Sequence, residues 1–188
     1  RGEERYALNY YRNNRQGVML DKIQYFDKAL FETLKQSAEE NPRRRTNLNV
    51  HKSYTDMVQR LFIAMMPDSY VRPHRHVQSH KWEFFMVVEG ELDILFFSDD
   101  GDVENRVTLT ARGETSGIEI PPNTWHATVC HSPVVFMEVK QGPYEVTDDK
   151  GFASWSPEEG NDQVPNFLAS LKQAAVGDSV RFLKPLLA

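Results

Sequence analysis

The sequence predicts an all-β barrel or jelly roll with a helix before it and a tail carrying a short helix after it. Three observations predict this. About eight short apolar segments follow one another between residues 58 and 140. Gly, Pro, Asn and Asp punctuate them, as in Pro67-Asp68, Glu89-Gly90 and Asp99-Asp100-Gly101-Asp102. The chain of 188 residues, 40% hydrophobic and 26% charged, is long enough for one domain with a sizeable core.

Each element has a local reason. Residues 1–18 are polar, rich in Arg, Asn and Tyr, and without a period, so they read as an arm; Met19 offers a start that would make them an extension. Asp27 can cap a helix over 28–40, where Leu30, Phe31, Leu34 and Ala38 share one face and Asn41-Pro42 ends it. Arg43-Arg44-Arg45 reads as a solvated link or as a contact to phosphate or carboxylate. Strands are expected over 58–66, 70–76, 82–89, 91–97, 103–109, 115–120, 125–130 and 134–140. Beyond Gly142-Pro143-Tyr144 the pattern loosens. Phe152, Trp155 and Pro157 read as anchors of a wrapped tail, and 166–175 as a short helix with Phe167, Leu168 and Leu171 inward. The organisation is then an extension over 1–24, helix and linker over 25–55, the barrel over 56–145, and a packed tail over 146–188.

Several strands are apolar on both faces: Glu83, Phe85 and Val87 share one side, Phe84, Met86 and Val88 the other. One side lines the interior, and the other needs the N-terminal helix, a second sheet or a second copy of the chain as cover. A homodimer through sheet faces is the expected cover where the helix is too small. A net charge of -5 argues against nucleic acid as a bulk partner. A single cysteine, Cys130, rules out an intrachain disulfide and fits a reducing cytoplasm. No apolar run approaches the roughly 20 residues of a membrane helix.

The chemistry concentrates in two stretches. In Pro73-His74-Arg75-His76, the two histidines are one residue apart and share a face on an extended backbone. Glu83 opens the next strand. Downstream, Ile120-Pro121-Pro122-Asn123-Thr124-Trp125 leads to His126, with Asn123 able to supply a positive φ in the turn. Three imidazoles and a carboxylate suit one divalent transition metal, Fe, Mn, Ni, Zn or Cu, with one or two positions left for water or substrate.

These stretches resemble the two motifs of the cupin superfamily: a His-x-His pair with a later Glu and Gly (Glu83, Gly90), and Pro-x-Gly-x-x-His (Pro121 and His126, with Asn123 at the Gly position). Six residues separate His76 from Glu83, more than the family's usual three or four, so His80 stands as an alternative ligand. Cys130 occupies the position where the family often has Asn. Over residues 25–160 the resemblance narrows. Val58-Gln59-Arg60, Tyr70 through His76, Glu119-Ile120-Pro121, Trp125-His126, Glu138-Val139-Lys140, Gly142-Pro143-Tyr144 and Asp149-Lys150-Gly151-Phe152-Ala153 resemble the WbuC family of cupin-fold metalloproteins. That resemblance implies a cupin jelly-roll (double-stranded β-helix) barrel. It also implies a bacterial protein linked to O-antigen, a lipopolysaccharide component, or to related surface-polysaccharide gene clusters. It implies no particular reaction.

Around the motifs, Arg72 shares the face of His74 and His76 by alternation and is expected to clamp a substrate carboxylate or phosphate. Arg75 is expected to point away into a salt bridge. Lys81 and Tyr144 are the proton-transfer candidates. Trp82 and Trp125 are packing residues able to offer a stacking face to a sugar ring. His51 and His131 read as surface or turn residues, and Cys130 as a small apolar filler on the His126 face. Two functions from different classes follow. One is a metal-dependent enzyme on a small sugar-related or acidic substrate, an isomerase, epimerase or oxygenase. The other is a non-catalytic metal-containing module that binds or senses a sugar or nucleotide sugar.

Overall fold

The computed structural model describes residues 23–145 and 151–181. The arm over 1–18, Met19, the Asp149-Lys150 pair and the end of the tail lie outside these residues. In chain order the elements are α1 (Lys28–Glu40), β1 (Arg45–Asn49), β2 (Val58–Met65), β3 (His74–Arg75), β4 (Glu83–Glu89), β5 (Glu91–Phe97), β6 (Val103–Thr110), β7 (Gly117–Ile120), β8 (His126–Val129), β9 (Val134–Gln141), β10 (Gly151–Phe152) and α2 (Val164–Gln173). Two antiparallel five-stranded sheets form, ordered β1-β2-β9-β4-β7 and β10-β3-β8-β5-β6. β1–β2 and β5–β6 are neighbours within a sheet, while from β2 to β5 and from β6 to β10 successive strands alternate between the sheets. This is the jelly roll that the turn spacing predicts.

Three apolar clusters explain how the layers hold together. Between the sheets lie Met65, Phe85, Val87, Leu92, Ile94, Phe136 and their neighbours, with Cys130 among them. On the outer face of the first sheet, Phe62, Ala64 and Val135 pack under Leu30, Phe31, Leu34 and Ala38 of α1. Asp27 caps that helix, accepting from the Leu30 amide at 3.0 Å. On the outer face of the second sheet, Leu95, Phe97, Ala127 and Val129 pack under Phe167, Leu168 and Leu171 of α2. Arg106 fastens this cover by donating to the carbonyls of Leu171, Lys172 and Ala174 at the end of α2, while Asp93 holds the same guanidinium at 2.5 Å. Helices of the same chain thus cover β1, β2, β9 and the second sheet, whereas on the outer side of β4 Phe84 is half-buried and Met86 36% exposed. Gly90 turns β4 into β5 at φ 78°, where a Cβ would stand 2.6 Å from the Pro133 carbonyl oxygen.

Three local expectations are corrected, and one, for the arginine run, is narrowed. The strand expected over 70–76 shrinks to His74–Arg75. Pro73 has no N–H to give to a ladder, and its carbonyl instead accepts from Ala153 of the tail at 3.0 Å. The stretch read as a helix-to-strand link contains the edge strand β1, whose Thr46 and Leu48 are buried while Arg45 and Asn47 are not. The arginine run meets carboxylates of its own chain: Arg43 and Arg45 reach Glu159 at 2.8 and 3.3 Å, and Arg44 reaches Asp68 at 2.9 Å. Phe152 is no buried anchor, being 52% exposed, whereas Trp155 is buried. Among the described residues no helix is long and apolar enough to cross a membrane.

Candidate metal centre

β3 and β8 are neighbours in the second sheet, and His74 is the register partner of His126. Cross-strand partners bring their side chains together, and the two rings lie 4.6 Å apart. His76, two residues on, has its ring 5.3 Å from that of His74. Across the interior, Glu83 projects from the start of β4 in the facing sheet. Its Oε1 lies 3.1 Å from His76 Nε2 and its Oε2 3.0 Å from His126 Nε2. Ligand atoms of His74, His76 and Glu83 lie within 4.8 Å of one another. All four groups are buried, at 5%, 3%, 4% and 2% exposure for His74, His76, Glu83 and His126.

The backbone presets two of the rings. His74 Nδ1 is 2.8 Å from the Arg72 carbonyl and His126 Nδ1 is 2.8 Å from the Thr124 carbonyl. A carbonyl only accepts, so each Nδ1 carries the hydrogen and each Nε2 of the neutral ring presents a lone pair. Such ring-to-carbonyl bonds hold metal-ligating histidines. The turn before β8 is tied to the first motif, because Asn123, at φ 58°, donates its backbone N–H to the His76 carbonyl at 2.6 Å. The long interval before Glu83 is taken up by a turn over 78–81, closed by the Lys81 amide on the Gln78 carbonyl at 3.0 Å. His80 stays exposed on that turn.

Burial alone pushes the Glu83 carboxyl up. The charge that His126 can carry and the contacts from His126 and His76 outweigh it, holding the group well below the usual carboxylate range. Among the described residues no donor is aligned on Glu83 Oε2 despite the close His126 nitrogen. A buried carboxylate facing imidazole lone pairs fits a cation better than it fits another hydrogen-bond acceptor.

Other expected site residues are placed differently. Arg72 turns to the tail, its Nε donating to Ser156 Oγ at 3.1 Å and its Nη2 to the Ala153 and Ser156 carbonyls at 3.2 and 3.1 Å. It does not line the cavity, so it is no clamp there. β3 begins only at His74, and the alternation that would carry Arg72 inward is lost. Lys81 is buried, with Nζ on the carbonyls of Gln141 and Pro143 at 3.2 and 2.7 Å; it fixes a loop and does not face the cavity. Trp125 packs outward, donating to Asp99 Oδ1 at 2.9 Å beneath Arg75, whose guanidinium lies 4.3 Å from its ring centre. Trp82 is half-buried and off the cavity wall. Arg75 points away and meets Asp99 at 3.4 Å. Tyr144 does line the cavity, 5.3 Å from the Tyr54 ring.

The cavity beside the cluster has a volume of about 580 Å³, in the range of small-molecule sites. His74 and His126 form one side, Glu83 reaches across to them from the facing sheet, and Asn47, Asn49, His51, Gln59, Glu138 and Lys140 form much of the other. Sequence reasoning missed most of that second side. Its one available signal was the period of two in Arg45, Asn47 and Asn49 against buried Thr46 and Leu48.

A family model described as "Domain of unknown function (DUF6016)" matches residues 26–109, somewhat under half of the chain. No curated protein matches the chain in sequence. Among solved structures, the chain is similar to the capsular polysaccharide assembling protein CapF of Staphylococcus aureus, at 19% identity and TM-score 0.49, over 60% of this chain and 32% of that one. An oxalate decarboxylase of Lactobacillus farciminis, in complex with formate, aligns at 15% identity and TM-score 0.44 over 57% of this chain and 31% of that one. A cupin-2 domain protein of Shewanella frigidimarina aligns at 18% identity and TM-score 0.40 over 52% and 80%. The chain thus spans about a third of the length of the first two. With likeness this distant, the strand order decides the fold. It is a jelly roll.

Proposed function

We propose that this cupin holds one divalent transition metal on His74, His76, Glu83 and His126, and that it is a metal-dependent enzyme acting on a small sugar-related substrate. The carrying observation is the convergence of a buried carboxylate with three imidazoles, two of them preset to offer Nε2, beside a cavity of small-molecule size. The metal would supply Lewis acidity or orient a water. The chain's own contributions are easier to name. The histidines and Glu83 fix the centre, while Glu138 and Lys140, 3.6 Å apart, and Tyr144 are the cavity groups able to hold or pass a proton. The resemblance to the WbuC family supports a place in bacterial surface-polysaccharide (O-antigen) metabolism.

One observation favours the second reading, a metal-containing module that binds a sugar or nucleotide sugar without changing it. Lys81, the lysine expected to move protons, is committed to two backbone carbonyls. α1 and α2 cover most of the outer sheet faces but leave Met86 on β4 36% exposed, so a homodimer through that face stays part of the reading; sedimentation would decide it. The deciding experiment measures metal content by elemental analysis and turnover after reconstitution with iron, manganese, nickel or zinc. Wild type is compared with His74→Ala and His126→Ala. Metal-dependent turnover supports the enzyme. A metal-loaded protein that binds sugars and returns them unchanged supports the module. Absence of bound metal after every reconstitution defeats both.

A further inference from the structure

The cavity side away from the histidines is a built wall. Sheet register lays it out in rows: Asn49, Leu61, Glu138 and Phe85 run across β1, β2, β9 and β4, and Gln59, Lys140 and Glu83 form the next row. Gln59 and Glu83 are therefore two strand spacings apart, about 10 Å. The Gln59 amide is spent on the loop above it, donating to the carbonyls of Ser53, Tyr54 and Asp56. That loop holds His51 and Tyr54 over the cavity.

His51 is 8% exposed, and its tautomer can be read from the backbone. The β1–β2 ladder stops at Val50, whose N–H donates to the Arg60 carbonyl at 2.8 Å. The Arg60 N–H is left facing the same side and finds His51 Nδ1 at 3.0 Å. The Arg60 carbonyl, 2.9 Å from the same nitrogen, already accepts from the Val50 N–H at 2.8 Å and the His51 N–H at 3.4 Å, which occupies both of its lone pairs. Nδ1 must then accept, so the neutral ring carries its hydrogen on Nε2. Among the described residues that Nε2 is buried with no hydrogen-bond partner. A buried donor without an acceptor is costly unless something arrives to take it.

We propose that this wall recognises a neutral, hydroxyl-rich ligand such as a sugar ring, with His51 Nε2–H donating to one of its oxygens. The inference rests on reading the cavity as a ligand site and adds the chemical class. Neutrality follows from the charges. Lys140 faces Glu138 at 3.6 Å, and Arg43 and Arg45 share Glu159, so each of the wall's cations already has a carboxylate of this chain beside it. Hydroxyls follow from the mixture of groups. A hydroxyl both donates and accepts, and the wall offers amides at Asn47 and Asn49, a donor at His51 and an acceptor at Glu138. Tyr54, Tyr144 and Phe152 add ring faces for the apolar side of such a ligand.

The test uses the full chain in thermal-shift and calorimetric titrations. The probes are galactose, fucose and N-acetylglucosamine, set against galacturonic acid, glucuronic acid and glucose 1-phosphate. The expected result is that at least one neutral sugar raises Tm and binds more tightly than every charged probe. His51→Asn keeps a side-chain oxygen for the Arg60 N–H but loses the Nε2 donor. It should bind that sugar about tenfold more weakly, the order expected for one lost hydrogen bond, with metal content as in wild type. Asn49→Leu should weaken it similarly and serves as the deciding variant if His51→Asn does not fold. No binding by any neutral sugar, tighter binding by a charged probe, or wild-type affinity in the folded variant overturns the proposal. The same titration on chelator-treated protein separates the two readings. Sugar binding in a protein that never holds metal defeats the metal centre and leaves this wall standing; a metal-loaded protein blind to every neutral sugar does the reverse.

Discussion

The two sides of the cavity obey the same strand geometry but are written in the chain in opposite ways. The histidine side takes its imidazoles from two compact stretches, 74–76 and 126, which β3 and β8 pair directly. The polar side takes one or two residues from each of β1, β2 and β9, with His51 added from a loop. A strand presents only every second residue to a given face. A wall shared among several strands therefore leaves no contiguous motif, however well built it is. Chemistry that needs tight convergence on one point is short in sequence, whereas recognition spread over 10 Å or so is not.

The contrast breaks most sharply at the histidine side. His126→Ala and Glu83→Ala should each lower bound metal at least about tenfold by elemental analysis, since even outer partners of ligands are worth 10–100-fold. Asn47→Leu, on the polar side, should leave metal content unchanged. Equal loss in all three would mean that the two sides are not separate devices. Next in size is the scaffold both sides share. Leu34 under α1 and Leu171 under α2 are fully buried on opposite outer faces. Leu34→Ala and Leu171→Ala should each lose about 2–5 kcal/mol in denaturant titrations. Arg72→Ala should come third, costing about 1–3 kcal/mol through lost bonds to Ala153 and Ser156, with metal content and sugar binding intact. A selective loss of affinity for charged ligands instead would restore Arg72 as a clamp.

The barrel was legible because its turns are. Gly90 at φ 78° and Asn123 at φ 58° sit where the sequence places tight turns, and the helix over 28–40 begins at its Asp27 cap. Edge elements were not legible. β1 exposes Arg45 and Asn47 to a cavity, so it looks like a polar link, and β10 is two residues that become a strand only by pairing with His74 and Arg75. Arg72, Lys81 and Trp125 turn away from the cavity for a common reason. Alternation along a strand predicts direction only while the strand lasts, and these residues lie in loops or just beyond strand ends, where hydrogen bonds to the tail, to Pro143 and to Asp99 set their course. His51 reads as a surface or turn residue but is buried, because its partner is a backbone group across the sheet, which no side-chain spacing announces.

The smallest expected effect tests that last residue through pH. Burial, the largest influence, pushes the His51 imidazole below its ordinary value; Lys140 and Arg60 add to this, while the Arg60 backbone contact and Asp56 act against it. The folded chain therefore binds a proton at His51 less readily than the unfolded chain does. The unfolded state takes up that proton first as pH falls, so stability from a neutral His51 is fully present above about pH 6.5 and is lost as pH drops below it toward the lower folded value. Other groups titrate in the same window, so the informative quantity is a difference. Tm of wild type minus Tm of His51→Asn should fall steadily between about pH 7 and pH 5. A difference that is flat, or that grows on acidification, would mean that the ring is charged where it sits. It would then present two donors, the Arg60 amide would have no acceptor, and the wall would suit an anion better than a hydroxyl.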